Sequence, residues 1–326
     1  MSVLVVGSLN EDVLVTVDRL PGRGETVIGT SVRVAPGGKG ANQAAAAGRL
    51  GPGVAMVGRV GDDPAGERQR AALADLGVDV RLVHRTPGEL TGTATIPVEA
   101  AGGENLIVVV PGANTALGPD DVDRPEVHRA AVVLLQLENR LDTVRAAAAA
   151  ARGTVVLNPA PAQPLPAGLL DRVDVLVPNE HELVRLTGAD DGDRTPAELT
   201  ALSRQLGVPA VVVTLGARGA LVVPATGPAL LQAAPVVSPV DTTGAGDCFC
   251  GALAQALAGG TELAGAVRYA VAAAASSTTG PGARGALPDD TAVRDLLSRT
   301  PAAVPVDRGA GAPDGCPAGP RGRAGA

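Results

Sequence analysis

The sequence predicts an α/β fold, a doubly wound and mainly parallel sheet flanked by helices, with a small β-sheet lid. From Ala130 onward, short apolar runs alternate with helix-like stretches, the rhythm of a parallel sheet covered on both faces. The chain is rich in Ala, Val, Leu and Gly but holds one Phe, one Tyr and no Trp. Its core must therefore be aliphatic, which suits a buried parallel sheet faced by alanine-rich helices. Extended segments in the first third break the rhythm and predict a separate accessory sheet.

Val3–Val6 reads as a buried strand ending at Gly7. The lid strands are expected from about 12–17, 26–34, 90–98 and 104–110, the last two forming a hairpin across Ala100-Ala101-Gly102-Gly103. An alanine-rich helix runs to Leu50. The alternating half reads as strand 132–135, helix 143–151, strands 155–157 and 173–177, helices 179–186 and 197–206, and strand 211–215. Helices over 244–258, 263–279 and 289–298 close a domain of residues 1–300. Beyond Pro301 the composition turns to Pro, Gly, Ala and Arg without apolar periodicity, so 301–326 is expected to be a disordered tail.

A formal charge of −7, with no basic patch interleaved with aromatics, argues against nucleic-acid binding. Cys248, Cys250 and Cys316 make neither a disulfide framework nor zinc spacing. The N-terminus enters a strand directly, and no apolar stretch suits a bilayer, so a cytoplasmic protein away from membranes is expected. Lys39 is the only lysine among 27 basic residues, which fits a site needing a compact ammonium.

Three segments carry chemistry. In Asp241-Thr242-Thr243-Gly244-Ala245-Gly246-Asp247, small residues precede a helix whose first N–H groups and dipole favour an anion. A carboxylate there would repel a phosphate, which leaves two readings of Asp247. It is a base between an incoming hydroxyl and a phosphoryl group, or an acidic first-turn residue that stabilises its helix. In Gly37-Gly38-Lys39-Gly40-Ala41-Asn42-Gln43, Lys39 and Asn42 offer a charge and an amide suited to sugar hydroxyls; otherwise this is a glycine turn capping a helix. The spacing is neither that of a P-loop nor of a dinucleotide fingerprint. Gly7-Ser8-Leu9-Asn10-Glu11-Asp12 places polar groups past the carboxyl end of the first strand, where open sheets bind ligands, or else forms an Asx turn.

In this order and separation, the three segments resemble those of the ribokinase family of carbohydrate kinases. The similarity continues through Gly24-Glu25-Thr26, Gly112-Ala113-Asn114, Gln136-Leu137-Glu138, Asn158-Pro159-Ala160-Pro161, Asn179-Glu180-His181-Glu182 and Thr214-Leu215-Gly216-Ala217-Arg218-Gly219. It covers Val3 to about Pro288. The Asp-Thr-x-Gly-Ala-Gly-Asp block belongs to the broad family. The Gly-Gly-Lys-Gly-Ala-Asn and Asn-Pro-Ala-Pro blocks point to its ribose-phosphorylating members.

The resemblance implies ATP-dependent phosphorylation of the 5-hydroxyl of D-ribose, with Asp247 as base and Gly244, Ala245 and Gly246 as anion hole. It implies a sugar site of Asn10, Asp12, Gly38, Lys39, Asn42 and Glu138. ATP would meet Asn179, Thr214, Gly216, Gly219 and Gly246. Glu182 would act on Mg2+ indirectly, although by pattern alone Asn179 and Glu182 are equally a helix cap and a solvated face. A potassium ion would sit at Asp241, Thr243, Ser277, Gly280, Gly282 and Ala286, and lids would pair in a homodimer. Val271, Ser276-Ser277 and Gly280-Pro281 depart from the family pattern, which bears on base selectivity and potassium activation. The alternatives are a kinase of another sugar or nucleoside, and a non-catalytic sugar or nucleotide sensor on this fold.

Overall fold

Strand β1 (Val3–Val6) sets the two faces of the molecule. Val3 and Val5 pack into one hydrophobic cluster, Leu4 and Val6 into the other, as the two-residue period of a strand requires. A computed structural model describes residues 2–101 and 104–306 of the chain around this strand. Next come β2 (Asn10–Val17), β3 (Gly29–Gly37), α1 (Lys39–Leu50), β4 (Val54–Gly61), α2 (Pro64–Asp75), β5 (Val78–Asp79), β6 (Val83–Thr86), β7 (Gly92–Glu99) and β8 (Val108–Val110). The alternating half holds α3 (Pro125–Arg129), β9 (Val132–Leu135), α4 (Leu141–Ala150), β10 (Thr154–Leu157), β11 (Val175–Leu176), α5 (Glu180–Thr187), α6 (Pro196–Gln205) and β12 (Ala210–Thr214). The chain continues through β13 (Ala220–Pro224), β14 (Leu230–Gln232), α7 (Ala245–Ala258), α8 (Leu263–Ser277), α9 (Asp290–Leu297) and β15 (Val304–Pro305).

The main sheet runs β15-β14-β13-β12-β11-β10-β9-β1-β4-β5, with β6 also paired to β4. Pairings from β12 through β5 are parallel, and the β12–β15 edge is antiparallel. Helices α1, α7, α8 and α9 cover one face through residues such as Ala45, Leu253, Ala270 and Val293. Helices α4, α5 and α6 cover the other through Val144, Leu183 and Leu199. Both β4 and β9 flank β1, so the order reverses there, and the carboxyl ends of β1 and β9 open the crevice where such sheets bind ligands.

The smaller sheet has the order β3-β2-β7-β8, with β2 and β7 parallel and the outer pairs antiparallel. It begins earlier than the sequence suggests, because Asn10 already pairs with Gly37 and the chain passes from β1 into the lid within three residues. A register shift between Thr16 and Val17 ends the pairing at Gly29, which leaves Thr26–Ile28 outside the strand. From the expected 104–110 strand, residues 104–107 contribute only the bridge of Asn105 to Val98. Gly102 and Gly103 of the hairpin lie outside the described residues.

The tail boundary also differs. Val304 and Pro305 pair with Leu231 and Leu230, and Gln232 Nε2 donates to Pro301 O at 2.9 Å, so Pro301–Val306 close the sheet edge. Those few residues carry too little apolar pattern to read as a strand alone. The remainder of the expected tail, with Cys316, lies outside the described residues. Among the described residues, no helix is long and apolar enough to cross a membrane.

Candidate active site

Helix α7 begins at the predicted glycine turn. Gly244 is left-handed (φ 77°), and a Cβ there would lie 2.7 Å from the Cβ of Ala283, so both backbone and space call for glycine. Ala245, Gly246 and Asp247 form the first turn. The Ala245 N–H donates to Thr242 O at 3.2 Å, which leaves Gly246 and Asp247 as the turn's N–H groups for a ligand.

Asp247 is buried, and α1 holds its carboxylate. Asn42 Nδ2 donates to Oδ2 at 3.1 Å and Gln43 Nε2 to Oδ1 at 3.0 Å. The grip depends on Gly251, one helical turn after the base: a Cβ there would stand 2.5 Å from Gln43 O, so only glycine lets α1 and α7 approach this closely. Lys39, Asn42 and Gln43 occupy positions i, i+3 and i+4 of α1 and share one face. The negative charge of Asp247, with those of Glu138 and Glu182, holds the Lys39 ammonium above its ordinary pKa despite burial. Glu138 accepts from the Lys39 N–H at 3.0 Å and from the Ser8 hydroxyl, tying the start of α1 to the ends of β1 and β9.

Asn10 and Asp12 enter from the lid. Asn114 Nδ2 donates to Asn10 Oδ1 at 2.8 Å, which leaves Nδ2 as the group Asn10 can offer a ligand. The Asp12 carboxylate lies against Gly37, where a Cβ would overlap it. Burial pushes the Asp12 carboxyl up to about 6; Arg284 opposes the rise, while Glu138 and Asp247 add to it. Asp12, Glu138, Asp247, Lys39 and Arg284 thus act on one another as a single charge cluster.

Two cavities meet at Thr214 and at Gly246, the residue before Asp247. A polar one of about 140 Å³ is lined by Lys39, Asn158, Asn179, Glu182, Thr214, Gly244, Gly246 and Asp247. A mostly apolar one of about 440 Å³ includes Gly216, Gly219, Val236, Phe249 and Val271. Thr214 and Gly246 belong to both walls. Asn10, Asp12, Asn42 and Glu138 line neither of these two cavities and join the site through the network just described; Gly38, also outside both, precedes α1 where a Cβ would stand 2.8 Å from Asn10 N.

Asn179 and Glu182 form the helix cap that the pattern allows, although Glu182 is half-buried rather than on a solvated face. Asn179 Oδ1 accepts from Glu182 N at 2.7 Å and Glu182 Oε2 from Asn179 N at 2.8 Å, a capping box, while both side chains also line the polar cavity. Burial pushes the Glu182 carboxyl up.

Of the expected potassium ligands, Asp241, Thr243 and Gly282 are joined: Asp241 accepts from Thr243 N at 2.9 Å and from Gly282 N at 2.7 Å. Burial pushes the Asp241 carboxyl up, but these bonds and the charge of Arg33 outweigh it and hold the group below the usual carboxylate range. Ser277 Oγ donates to Ala274 O at 2.8 Å, so the hydroxyl proton is spent within its own helix. Gly280 and Ala286 abut, with a Cβ at Gly280 only 2.8 Å from that of Ala286. Carboxylate and main-chain carbonyl oxygens are the kind of donors a hard cation takes.

Sequence reasoning missed Gln43, Asn158, Ser8, Asn114 and Arg284. Gln43 had a usable signal, its place one turn after Lys39. Asn158 lay within a matched block; its Oδ1 accepts from Gln43 at 3.1 Å and its Nδ2 donates to Val177 O. Arg284 gave none, because it lies more than 240 residues from Asn42, which its Nε bonds at 2.8 Å.

The chain matches the model of the pfkB family carbohydrate kinases over residues 1–290. It is 40% identical over 304 residues to the ribokinase of Bacillus subtilis, covering 91% of this chain and 99% of that protein. It is 39% identical over 290 residues to the ribokinase of Haemophilus influenzae, covering 87% and 94%. The structure of Arabidopsis thaliana ribokinase complexed with ribose and ATP superposes with a TM-score of 0.81 at 36% identity, covering 90% of this chain and 98% of that one. With the doubly wound sheet, the small second sheet and an aspartate at a glycine-started helix, the chain belongs to the pfkB family of carbohydrate kinases.

Proposed function

We propose that this chain transfers the γ-phosphoryl group of ATP to the 5-hydroxyl of D-ribose, with Asp247 as general base. The observation that carries the reading is the position of Asp247, fixed by Asn42 and Gln43 in the wall of a polar cavity that opens past Gly246 and Thr214 into an apolar one. The apolar cavity suits a nucleotide base, with Thr214, Gly216 and Gly219 at its wall; Asn179, Glu182 and Lys39 surround the polar one. The relatives that match across nearly the whole chain are ribokinases.

In this reaction Asp247 accepts the hydroxyl proton as the oxygen forms its bond to the γ-phosphorus, and the bond to the bridging oxygen breaks to release ADP. The N–H groups of Gly246 and Asp247, at the positive end of the α7 dipole, receive the charge that develops on the phosphoryl oxygens. Gly244 and Ala245 place them. Lys39 balances that charge from the sugar side, while Asn10, Asp12, Gly38, Asn42 and Glu138 hold the pentose. Mg2+ bound to the phosphates would neutralise their charge, with Glu182 acting on it through the polar cavity. A potassium ion would be held by Asp241 and the carbonyls of Thr243, Ser277, Gly280, Gly282 and Ala286, next to the first turn of α7.

The lid exposes Ile28, Val32, Val34, Ile107, Val108 and Val110, an apolar face that a second lid would cover in a homodimer. A sugar kinase fed by cellular ATP would work in the cytoplasm, where Cys248 and Cys250, both unpaired, stay reduced.

The test is ATP-dependent turnover of ribose, 2-deoxyribose, fructose and adenosine, with and without potassium. Ribose should be preferred, with product at the primary hydroxyl and a higher rate in potassium. Preference for another sugar moves the error to the sugar pocket. Saturable sugar binding without turnover of any would favour a sensor.

A further inference from the structure

Arg284 is the one charged side chain of the cluster that the proposed mechanism leaves without a task. It comes from the loop after α8, yet three other elements hold its guanidinium. Nε donates to Asn42 Oδ1 of α1 at 2.8 Å; Nη2 donates to Gly37 O at the end of lid strand β3 at 3.1 Å and to Gln69 Oε1 of α2 at 3.4 Å. Nη1 is buried and has no partner among the described residues. An unmet donor on a guanidinium is costly, and its persistence in a closed network asks for an occupant. The bonds of Arg284 to Asn42 and to Gly37, against which the Asp12 carboxylate lies, set the guanidinium among the residues read as the sugar site.

We propose that Arg284 is a specificity-determining residue of the sugar site, whose Nη1 donates to a secondary hydroxyl of the pentose ring, opposite Asp12. The proposal rests on the reading of this protein as a ribose kinase. A hydroxyl fits better than an anionic substituent, because Asp12, Glu138 and Asp247 crowd the same cluster with negative charge. A ring hydroxyl can accept from Arg284 and donate its own proton to Asp12, satisfying two buried groups at once. The hydroxyl is not the reacting one, since Asn42 stands between Arg284 and Asp247. Arg284 also fixes the Asn42 amide, because its bond to Oδ1 commits Nδ2 to Asp247.

The experiment compares wild type with R284M on D-ribose, 2-deoxy-D-ribose and 3-deoxy-D-ribose, by steady-state kinetics and by calorimetric sugar binding. R284M should weaken ribose roughly ten- to a hundredfold, the effect of losing one hydrogen bond from a charged group. Its KM for ATP should stay close to that of wild type. For the deoxy sugar that lacks the contacted hydroxyl, the loss should be clearly smaller, leaving only what the released Asn42 amide costs. If R284M does not fold, R284K carries the test. A compact ammonium lacks the spread fork with which the guanidinium reaches Asn42 and the sugar from different nitrogens, so the wild-type preference for ribose over that deoxy sugar should shrink. An equal loss on all three sugars, or no loss, overturns the contact and leaves Arg284 a clamp between lid and core. A wild-type protein that phosphorylates none of these pentoses overturns the ribose reading itself, and the contact falls with it.

Discussion

Helices α1 and α7 both start after a glycine at positive φ without a side-chain cap, Gly38 (φ 86°) and Gly244 (φ 77°), yet their first turns face opposite surroundings. In α1 the turn is packed. A Cβ on Gly40 would stand 2.5 Å from Ser8 N and 2.6 Å from Gly7 Cα, and Ser8 O accepts from Ala41 N at 2.9 Å. In α7 a Cβ on Gly246 would meet nothing within 4 Å, and Gly246 lies on the wall shared by both cavities. Glycine in α1 lets backbone reach backbone and so fixes Lys39, Asn42 and Gln43. Glycine in α7 keeps space open for something outside the chain. Two turns that look alike in sequence are thus a strut and a door.

The largest expected effect separates Asp247 as a base from Asp247 as a helix-stabilising acid. Asp247→Asn should lower kcat by roughly 10²- to 10⁴-fold, the usual contribution of a positioned base. The fold should persist at some cost, because the new amide meets two side-chain amides that now donate to the carboxylate. Sugar binding by calorimetry should survive. Near-normal turnover would reduce the α7 turn to a cap and remove the contrast with α1.

Two alanine substitutions test the contrast itself. Gly40→Ala forces a methyl into the backbone of Gly7 and Ser8 and should cost about 1–3 kcal/mol or more in denaturant unfolding, the scale of overpacking. Gly246→Ala meets no such wall and replaces a helical glycine, so it should be neutral or gain up to about 1 kcal/mol. Its turnover should nevertheless fall roughly tenfold or more, as expected when reacting groups are displaced slightly. A Gly246→Ala enzyme that is stable and fully active would show that nothing approaches the turn.

The same contrast explains what could be read without coordinates. The alternation after Ala130 yielded β9, α4, β10 and β12 within about two residues, because strands buried on both faces are unbroken aliphatic runs. Asp247 and Lys39 were legible because a carboxylate in a glycine turn, and a lone lysine, are unusual. Strands β13 and β14 and the edge strand β15 went unread, since antiparallel edge strands of two to five residues carry little periodic signal. The partners of the base were only half visible. Asn42 stood in a motif, but Gly251 looked like any glycine in an alanine-rich helix, although its missing side chain is what lets α1 reach Asp247. Arg284 and Asn114 act across more than 100 residues of sequence, and no local spacing encodes such contacts.

The smallest effect concerns Asp12, on the lid side of the cluster. Its carboxyl titrates at about 6 in the folded protein against 3.8 for a free aspartate, mainly because it is buried. For an acid raised on folding, the native state binds more protons across that window, so Asp12 makes stability fall as pH climbs from about 4 to 6. Asp12→Asn removes the term. The Tm of the variant relative to wild type should therefore rise by a few degrees, on the order expected for 1–2 kcal/mol in a chain this size, between pH 4 and pH 7. Sugar affinity should change in the opposite sense. Wild type should bind ribose more tightly as Asp12 ionises through pH 6 and becomes a full acceptor, while the variant should bind weakly and without that step. Such a pair of curves would mean that the lid holds a destabilised acceptor which the sugar relieves, as the α7 turn holds an open space which the phosphate fills. Parallel melting curves would instead place the Asp12 carboxylate in solvent, and the sugar side would then lack its second pre-formed group.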